Sequence, residues 1–383
     1  MQPIYLDYAA TTPVAPEVAE AMSGCLTLEG NFANPASRSH IYGWRAEEAV
    51  ENARGELAEL INADAREIVW TSGATEANNL ALKGIFEALA FRGRLALPTV
   101  EHKAVLDPAQ WLATRGVEVN WLAPDHTGQI TAETVKAALR EDTRLVSVML
   151  VNNELGTINP IAEIAAVCRQ EGCLLHVDAA QAVGKLPVDV KALDVDLLSI
   201  SAHKMYGPKG IGALYVRRAT EVNVAAQIHG GGHERQMRSG TLATHQCVGF
   251  GVACRLAAER LPSESVRIAQ LRDRLWEGIK NLPGVRLNGH PEERVSGHLN
   301  VSFTGLDGER LLLGLRELAV SSGSACTSAS LSPSYVLRAI GLDEATALAS
   351  LRLSLGRYTT AAEVDRAVAH ITEVTTRLYA KAG

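Results

Sequence analysis

Short apolar runs rich in β-branched residues recur along this chain, each followed by a longer stretch of helical periodicity. That alternation restricts the fold more than any other feature. The runs Glu67–Ser72, Val117–Ala123, Arg144–Val151, Cys173–Asp178, Asp196–Ser201 and Ile211–Arg217 predict strands. Between them, Arg45–Ile61 places Val50, Ala53, Leu57, Leu60 and Ile61 on one face, and Ile161–Glu171 is amphipathic in the same way. Strands and helices alternating at this spacing predict an α/β fold with a mostly parallel sheet covered on both faces.

After about Cys254 the texture changes. A helix over 265–281, a strand at His298–Phe303, a helix over 308–318 and a strand at Leu351–Leu355 follow in turn. A last helix begins at Thr360, where Thr360 and Glu363 form a capping box, and Val364, Val368, Ile371 and Leu378 give it an apolar stripe. This mixture predicts a smaller α+β domain, residues 255–383, beside a large domain of residues 14–254.

Charge narrows the function classes. The 37 basic and 43 acidic residues leave a net charge of −6 with no block of like charge, so no direct nucleic-acid contact is expected. No apolar run approaches the ~18 residues of a membrane span. The N-terminus has neither the basic start nor the apolar core of a signal peptide. Six cysteines (25, 168, 173, 247, 254 and 326) are scattered over 383 residues, as suits a reducing compartment. A cytoplasmic enzyme is the expectation.

Four segments carry candidate chemistry. Lys204 follows the strand ending at Ser201, at the carboxyl end where open α/β sheets bind ligands, although taken alone it reads better as one solvated lysine among many. Asp178 ends another apolar strand. It is either a cap or a buried carboxylate in need of a cation or hydrogen bonds. Together a carboxylate and a lysine form the pairing that a pyridoxal phosphate site requires. Gly73-Ala74-Thr75-Glu76 is a small-residue turn opening a helix, able to hold an anion on free backbone amides, and it is neither a Walker sequence nor G-x-G-x-x-G. Ser321–Ser330 surrounds Cys326 with small polar residues, which predicts an accessible, mobile thiol. Cys168, Cys173 and His176 match no zinc spacing, and glycines separate His229 from His233, so no metal is expected.

The ordered set of motifs resembles the pyridoxal-phosphate cysteine desulfurases of the NifS/IscS type, within the class-V aminotransferase family and the fold-type-I superfamily. It comprises Tyr5–Pro13, Asn34–Ser37, Ser72–Glu76, Glu101-His102-Lys103, Asn152–Gly156, His176-Val177-Asp178, Ser201–Lys204, His229–Glu234, Arg238–Thr241 and Leu351–Gly356. The Cys326 stretch is similar to the branch with a long cysteine loop (group I).

The resemblance implies pyridoxal 5'-phosphate as cofactor, with Lys204 holding it covalently and moving protons. It implies Asp178 on the ring nitrogen, Gln181 on the ring hydroxyl, and His102 stacked on the ring as acid/base. Ala74, Thr75, Ser201 and His203 would cradle the phosphate, and Thr241 would reach the phosphate of a neighbouring subunit in a homodimer. Asn153 and Arg352 would hold the substrate, Arg352 by a bidentate grip on its carboxylate. The first 13 residues would join the small domain.

The implied reaction converts L-cysteine to L-alanine. The sulfur would pass as a persulfide through Cys326 to a protein acceptor. The chain reaches Gly383 soon after the last helix, without the extension that contributes to docking the iron–sulfur scaffold. The acceptor is therefore left open among iron–sulfur cluster assembly, tRNA thiolation and DNA phosphorothioation. Competing expectations are a selenocysteine lyase, a transaminase of the same fold, and a sulfur-relay component without turnover.

Overall fold

The computed structural model describes residues 2–218, 222–322 and 332–382. Its centre is a seven-stranded sheet in the spatial order Ile68–Thr71, Gly212–Val216, Leu197–Ser201, Leu174–Asp178, Thr143–Ser147, Arg94–Pro98 and Glu118–Leu122. Only Gly212–Val216 runs antiparallel to its two neighbours. The parallel strands lie between helices on both faces and read as continuous apolar runs, as double burial requires.

Two departures from the predicted elements have physical causes. The strand predicted over Arg144–Val151 ends at Ser147, although Val148 and Leu150 still donate to the carbonyls of His176 and Asp178 at 3.0 and 2.9 Å. Strand Arg94–Pro98 was not predicted, because Arg-Leu-Ala-Leu-Pro has no β-branched residue. Burial of Leu95, Ala96 and Leu97, on a strand paired on both sides, overrides that weak local preference.

The change of texture after Cys254 falls inside one 36-residue helix, Thr244–Ile279, which runs through Pro262. Its first half gives Cys247, Phe250, Cys254 and Ala257 to the large core. Its second half gives Ile268, Leu271, Leu275 and Ile279 to a separate core. The expected boundary between 254 and 255 is therefore not a chain break. One helix belongs to both cores.

The second core underlies an antiparallel sheet in the order Ser321–Ser322, Ser350–Ser354, His298–Phe303 and Val285–Asn288. Helix Ala361–Ala382 covers it with Val364, Ala367, Ile371 and Val374. The helix predicted over 308–318 stops at Gly314, because Leu318–Ala319 turns away to pair in parallel with Ile4–Tyr5. The N-terminal residues thus start on this small sheet, and Ser354 N–H donates to the Leu6 carbonyl at 2.7 Å.

Candidate active site

The carboxyl ends of the parallel strands open into a cavity of about 540 Å³. Ala74, Thr75, His102, Asn153, Asp178, Gln181, Ser201, His203, Lys204 and Arg352 all line it. These residues come from both cores, and the N-terminal segment adds Ala9 and Ala10.

Strand Leu174–Asp178 ends in a carboxylate that is 6% exposed. Asn78 Nδ2 donates to one Asp178 oxygen at 2.7 Å and the Ala180 amide donates to the other at 2.9 Å, so the carboxylate is held in one orientation. Strand Leu197–Ser201 leads into a helical turn ending at Lys204. The Lys204 amine donates to the carbonyls of Ala9 and Ala10 at 2.6 and 2.8 Å. His203 shares a hydrogen bond with Thr11 at 3.1 Å, and burial pushes its pKa down to about 4.

Helix Ala74–Ala88 meets the cavity with its N-terminus. Gly73 precedes it at φ 153°, and no side chain caps its first turn. The antiparallel strand is pressed against this turn, because a Cβ on Gly212 would lie 2.6 Å from Gly73 Cα. Glu76 accepts from the Ser72 amide at 2.7 Å and from Arg238 Nε at 2.8 Å, which ties the turn in place. Uncapped helix amides and the helix dipole make this end an anion cradle.

His102 caps helix Lys103–Thr114, its Nδ1 accepting from the Ala104 amide at 3.1 Å. That bond puts the proton of the neutral ring on Nε2. Burial lowers its pKa, partly offset by Asp178. Arg352, on strand Ser350–Ser354, is 7% exposed and donates to the Asn153 carbonyl and to Asp7, both at 2.9 Å. Asn153 Oδ1 is buried without a hydrogen-bond partner among the described residues.

These features fit pyridoxal phosphate: an uncapped helix end for its phosphate, an oriented carboxylate for its ring nitrogen, and an amine at a strand end. Residues 4–367 match the aminotransferase class-V family. The chain belongs to that family. Its cofactor is pyridoxal 5'-phosphate.

The chain is 59% identical over 377 residues to the cysteine desulfurase IscS of Aeromonas hydrophila, covering 98% of this chain and 93% of that protein. A solved NifS-like protein superposes with a TM-score of 0.90 at 35% identity, covering 98% of this chain and 100% of that one. A structure described as SspA in complex with cysteine gives a TM-score of 0.83 at 41% identity, over 93% of this chain and 100% of that one.

One expected site residue among those described is not in the cavity wall. Thr241 is exposed and does not line its own chain's cavity. Cys326 lies outside the described residues. The other five cysteines are buried, and burial pushes Cys247 up to about 12. His176 is satisfied inside the core, bonded to Ser147 at 2.8 Å and Ser199 at 2.9 Å, and burial lowers its pKa to about 3.

Sequence reasoning missed polar groups in and behind the wall. Asn78 sits one helical turn past the anion cradle, a spacing that could have pointed to it. Glu101 is fully buried, with one oxygen bonded to the Met149 amide at 2.6 Å and the other unpartnered among the described residues. Burial, then the Asp178 charge, holds its carboxyl well above the usual range. Glu154 is 5% exposed, and burial raises it to about 7.

Proposed function

We propose that this chain is a pyridoxal-phosphate-dependent cysteine desulfurase that releases L-alanine and carries the sulfur as a persulfide on Cys326. The observation that supports the reading most strongly is 59% identity, across 98% of the chain, to a cysteine desulfurase.

Pyridoxal phosphate, when bound, supplies the electron sink that allows the substrate's Cα–H bond to ionise. Asp178 keeps the ring nitrogen protonated, and Asn78 and the Ala180 amide hold the carboxylate for that task. Ala74, Thr75, Ser201 and His203 hold the phosphate. Arg352 and Asn153 hold the substrate carboxylate, with Arg352 already braced by Asp7. Lys204, whose amine donates here to the carbonyls of Ala9 and Ala10, would hold the cofactor and move the α-proton. His102, with the proton on its Nε2, would serve as the acid/base beside the cofactor. The Cys326 thiolate attacks the substrate sulfur: an S–S bond forms, the C–S bond breaks, and its electron pair stays with the carbon that becomes alanine on protonation.

The chain acts as a homodimer in which Thr241 serves the partner's phosphate. Supporting this, Leu26, Leu28, Phe32, Ile41, Tyr42 and Trp44, large apolar side chains within one stretch of the chain, are all exposed. Its sulfur passes to a protein acceptor in the cytoplasm, and no helix among the described residues is long and apolar enough to cross a membrane.

Incubating the holoenzyme with L-cysteine and a thiol reductant tests the function. Equimolar alanine and sulfide are expected. Alanine formed only when a keto acid is supplied would establish a transaminase instead. Sedimentation should give a dimer, and a fully active monomer would refute the role given to Thr241.

A further inference from the structure

A polar chain leads away from the cavity wall. Lys185 Nζ donates to Gln181 Oε1 at 2.5 Å, Gln181 Nε2 donates to the Ala9 carbonyl at 2.8 Å, and Lys204 Nζ donates to that same carbonyl at 2.6 Å. Gln181 and Lys204 line the main cavity. Lys185 instead lines a separate space of about 30 Å³ bounded by Tyr8, Gly184, Tyr206, Glu264 and His298.

The local backbone explains how Lys185 reaches Gln181. The turn after strand Leu174–Asp178 is closed by Ala182 N–H to Ala179 and Lys185 N–H to Ala182, both at 2.9 Å. Gly184 takes φ 79°, and a Cβ there would lie 2.7 Å from Met205 Cβ, so the chain folds back tightly. The lysine is thus aimed at the amide of a residue that is itself 5% exposed.

A carboxamide has a donor end and an acceptor end of nearly the same shape. Its neighbours decide which end faces the cavity. We propose that Lys185 is a positioning residue that locks the Gln181 carboxamide with its N–H donors, and not its oxygen, toward the cofactor's ring hydroxyl. The proposal rests on the reading that Gln181 touches that hydroxyl.

With Lys185 occupying Oε1 and one Nε2 hydrogen donated to the Ala9 carbonyl, the second Nε2 hydrogen is left for an acceptor in the cavity. Burial, then the charges of Lys204 and Arg352, hold the Lys185 amine well below the ordinary lysine range, while the residue as a whole keeps some exposure. His298 and His203 are the other titratable groups that feel it, and Glu264 lines the same small space. A neutral amine still carries N–H donors, so the lock holds in either protonation state.

The test uses holoenzymes of Lys185→Met, Gln181→Ala and the double variant. It follows the pH midpoint of the cofactor's visible absorption band and the dissociation constant for pyridoxal 5'-phosphate. A donor on the ring oxygen favours its anion. Losing the donor should therefore raise the midpoint by about one pH unit and weaken cofactor binding roughly tenfold, the scale of one hydrogen bond to a charged group. Lys185→Met and Gln181→Ala should both shift, and the double variant should shift no further than Gln181→Ala.

A wild-type midpoint in Lys185→Met beside a shifted Gln181→Ala overturns the role of Lys185 and leaves that of Gln181 intact. A wild-type midpoint in Gln181→Ala overturns both. Additive shifts in the double variant mean that Lys185 acts by charge and not through Gln181, which also overturns the proposal. If Lys185→Met does not fold, Lys185→Gln replaces it in both backgrounds. Its amide can present either end, so a smaller shift of the same sign is expected with Gln181 present and none with Ala at 181. Any other pattern overturns the proposal.

Discussion

Replacing Glu154 with glutamine should remove a pH-dependent loss of stability that wild type shows between about pH 5 and 8. Glu154 lines the cavity at 5% exposure, and its Oε2 accepts from Ser334 Oγ at 2.5 Å. Ser334 also caps helix Tyr335–Ala339, accepting from the Leu337 amide at 3.2 Å. Burial raises the Glu154 pKa from 4.5 to about 7, against the lowering effects of Ser334 and Arg352.

The folded state therefore holds this proton more tightly than the unfolded chain does. The stability it confers is complete below about 4.5 and is lost as pH rises through about 7. A gap of about 2.5 units at 1.36 kcal/mol per unit amounts to roughly 3 kcal/mol. Glutamine is neutral throughout and keeps an oxygen for Ser334, so the variant should have no such slope.

Urea unfolding at a single protein concentration, from pH 5 to 8, would measure it. The stability of Glu154→Gln relative to wild type should climb by up to about 3 kcal/mol across that range. Parallel curves for the two proteins would refute the argument, because Glu154 would then titrate alike in both states.

The remaining predictions concern turnover. Lys204→Ala should lose the covalent cofactor absorption and all alanine release, and normal cysteine turnover would overturn the assignment of this lysine. Asp178→Ala should retain the fold and bound cofactor while turnover collapses, by roughly the 10²-fold or more that follows from losing a stabilising charge partner in a buried site. Near-wild-type turnover would make Asp178 only a cap at its strand end. Cys326→Ser should still bind L-cysteine and change colour, but form neither persulfide nor alanine, since the five described thiols are buried. Alanine released at a comparable rate would remove Cys326 from the mechanism.

The parts of this protein that could be read from its sequence are those where local pattern and tertiary role agree. Strand Leu174–Asp178 is apolar until it ends in a carboxylate, and Leu197–Ser201 is apolar until the turn that carries Lys204. Each end points into the cavity because parallel strands all terminate on one side. Where the two levels disagree, the reading fails. Arg94–Pro98 has little strand preference, yet lies sixth of seven in the sheet between Thr143–Ser147 and Glu118–Leu122. The long helix hides the passage between cores, because one stretch of periodicity continues while the partners of its apolar face change.

The polar residues to which the sequence reading gave no role depend on partners that the fold supplies. Asn78 orients Asp178, Glu154 lies beside Arg352 and Glu101 bonds the Met149 amide across long separations, and only Lys185 bonds a residue close in sequence, Gln181. A buried polar group without a partner costs about 1–3 kcal/mol, more if charged, so such a residue depends on the bonds the fold does supply. Asn78 illustrates it. In sequence it is one polar residue in an otherwise apolar helical stripe. In the fold it is fully buried at 2.7 Å from Asp178, and the helix whose N-terminus is suited to the phosphate also fixes the carboxylate meant for the ring nitrogen. Two ends of one cofactor are thereby referred to a single rigid element, which sets the distance between them more tightly than two independent loops would.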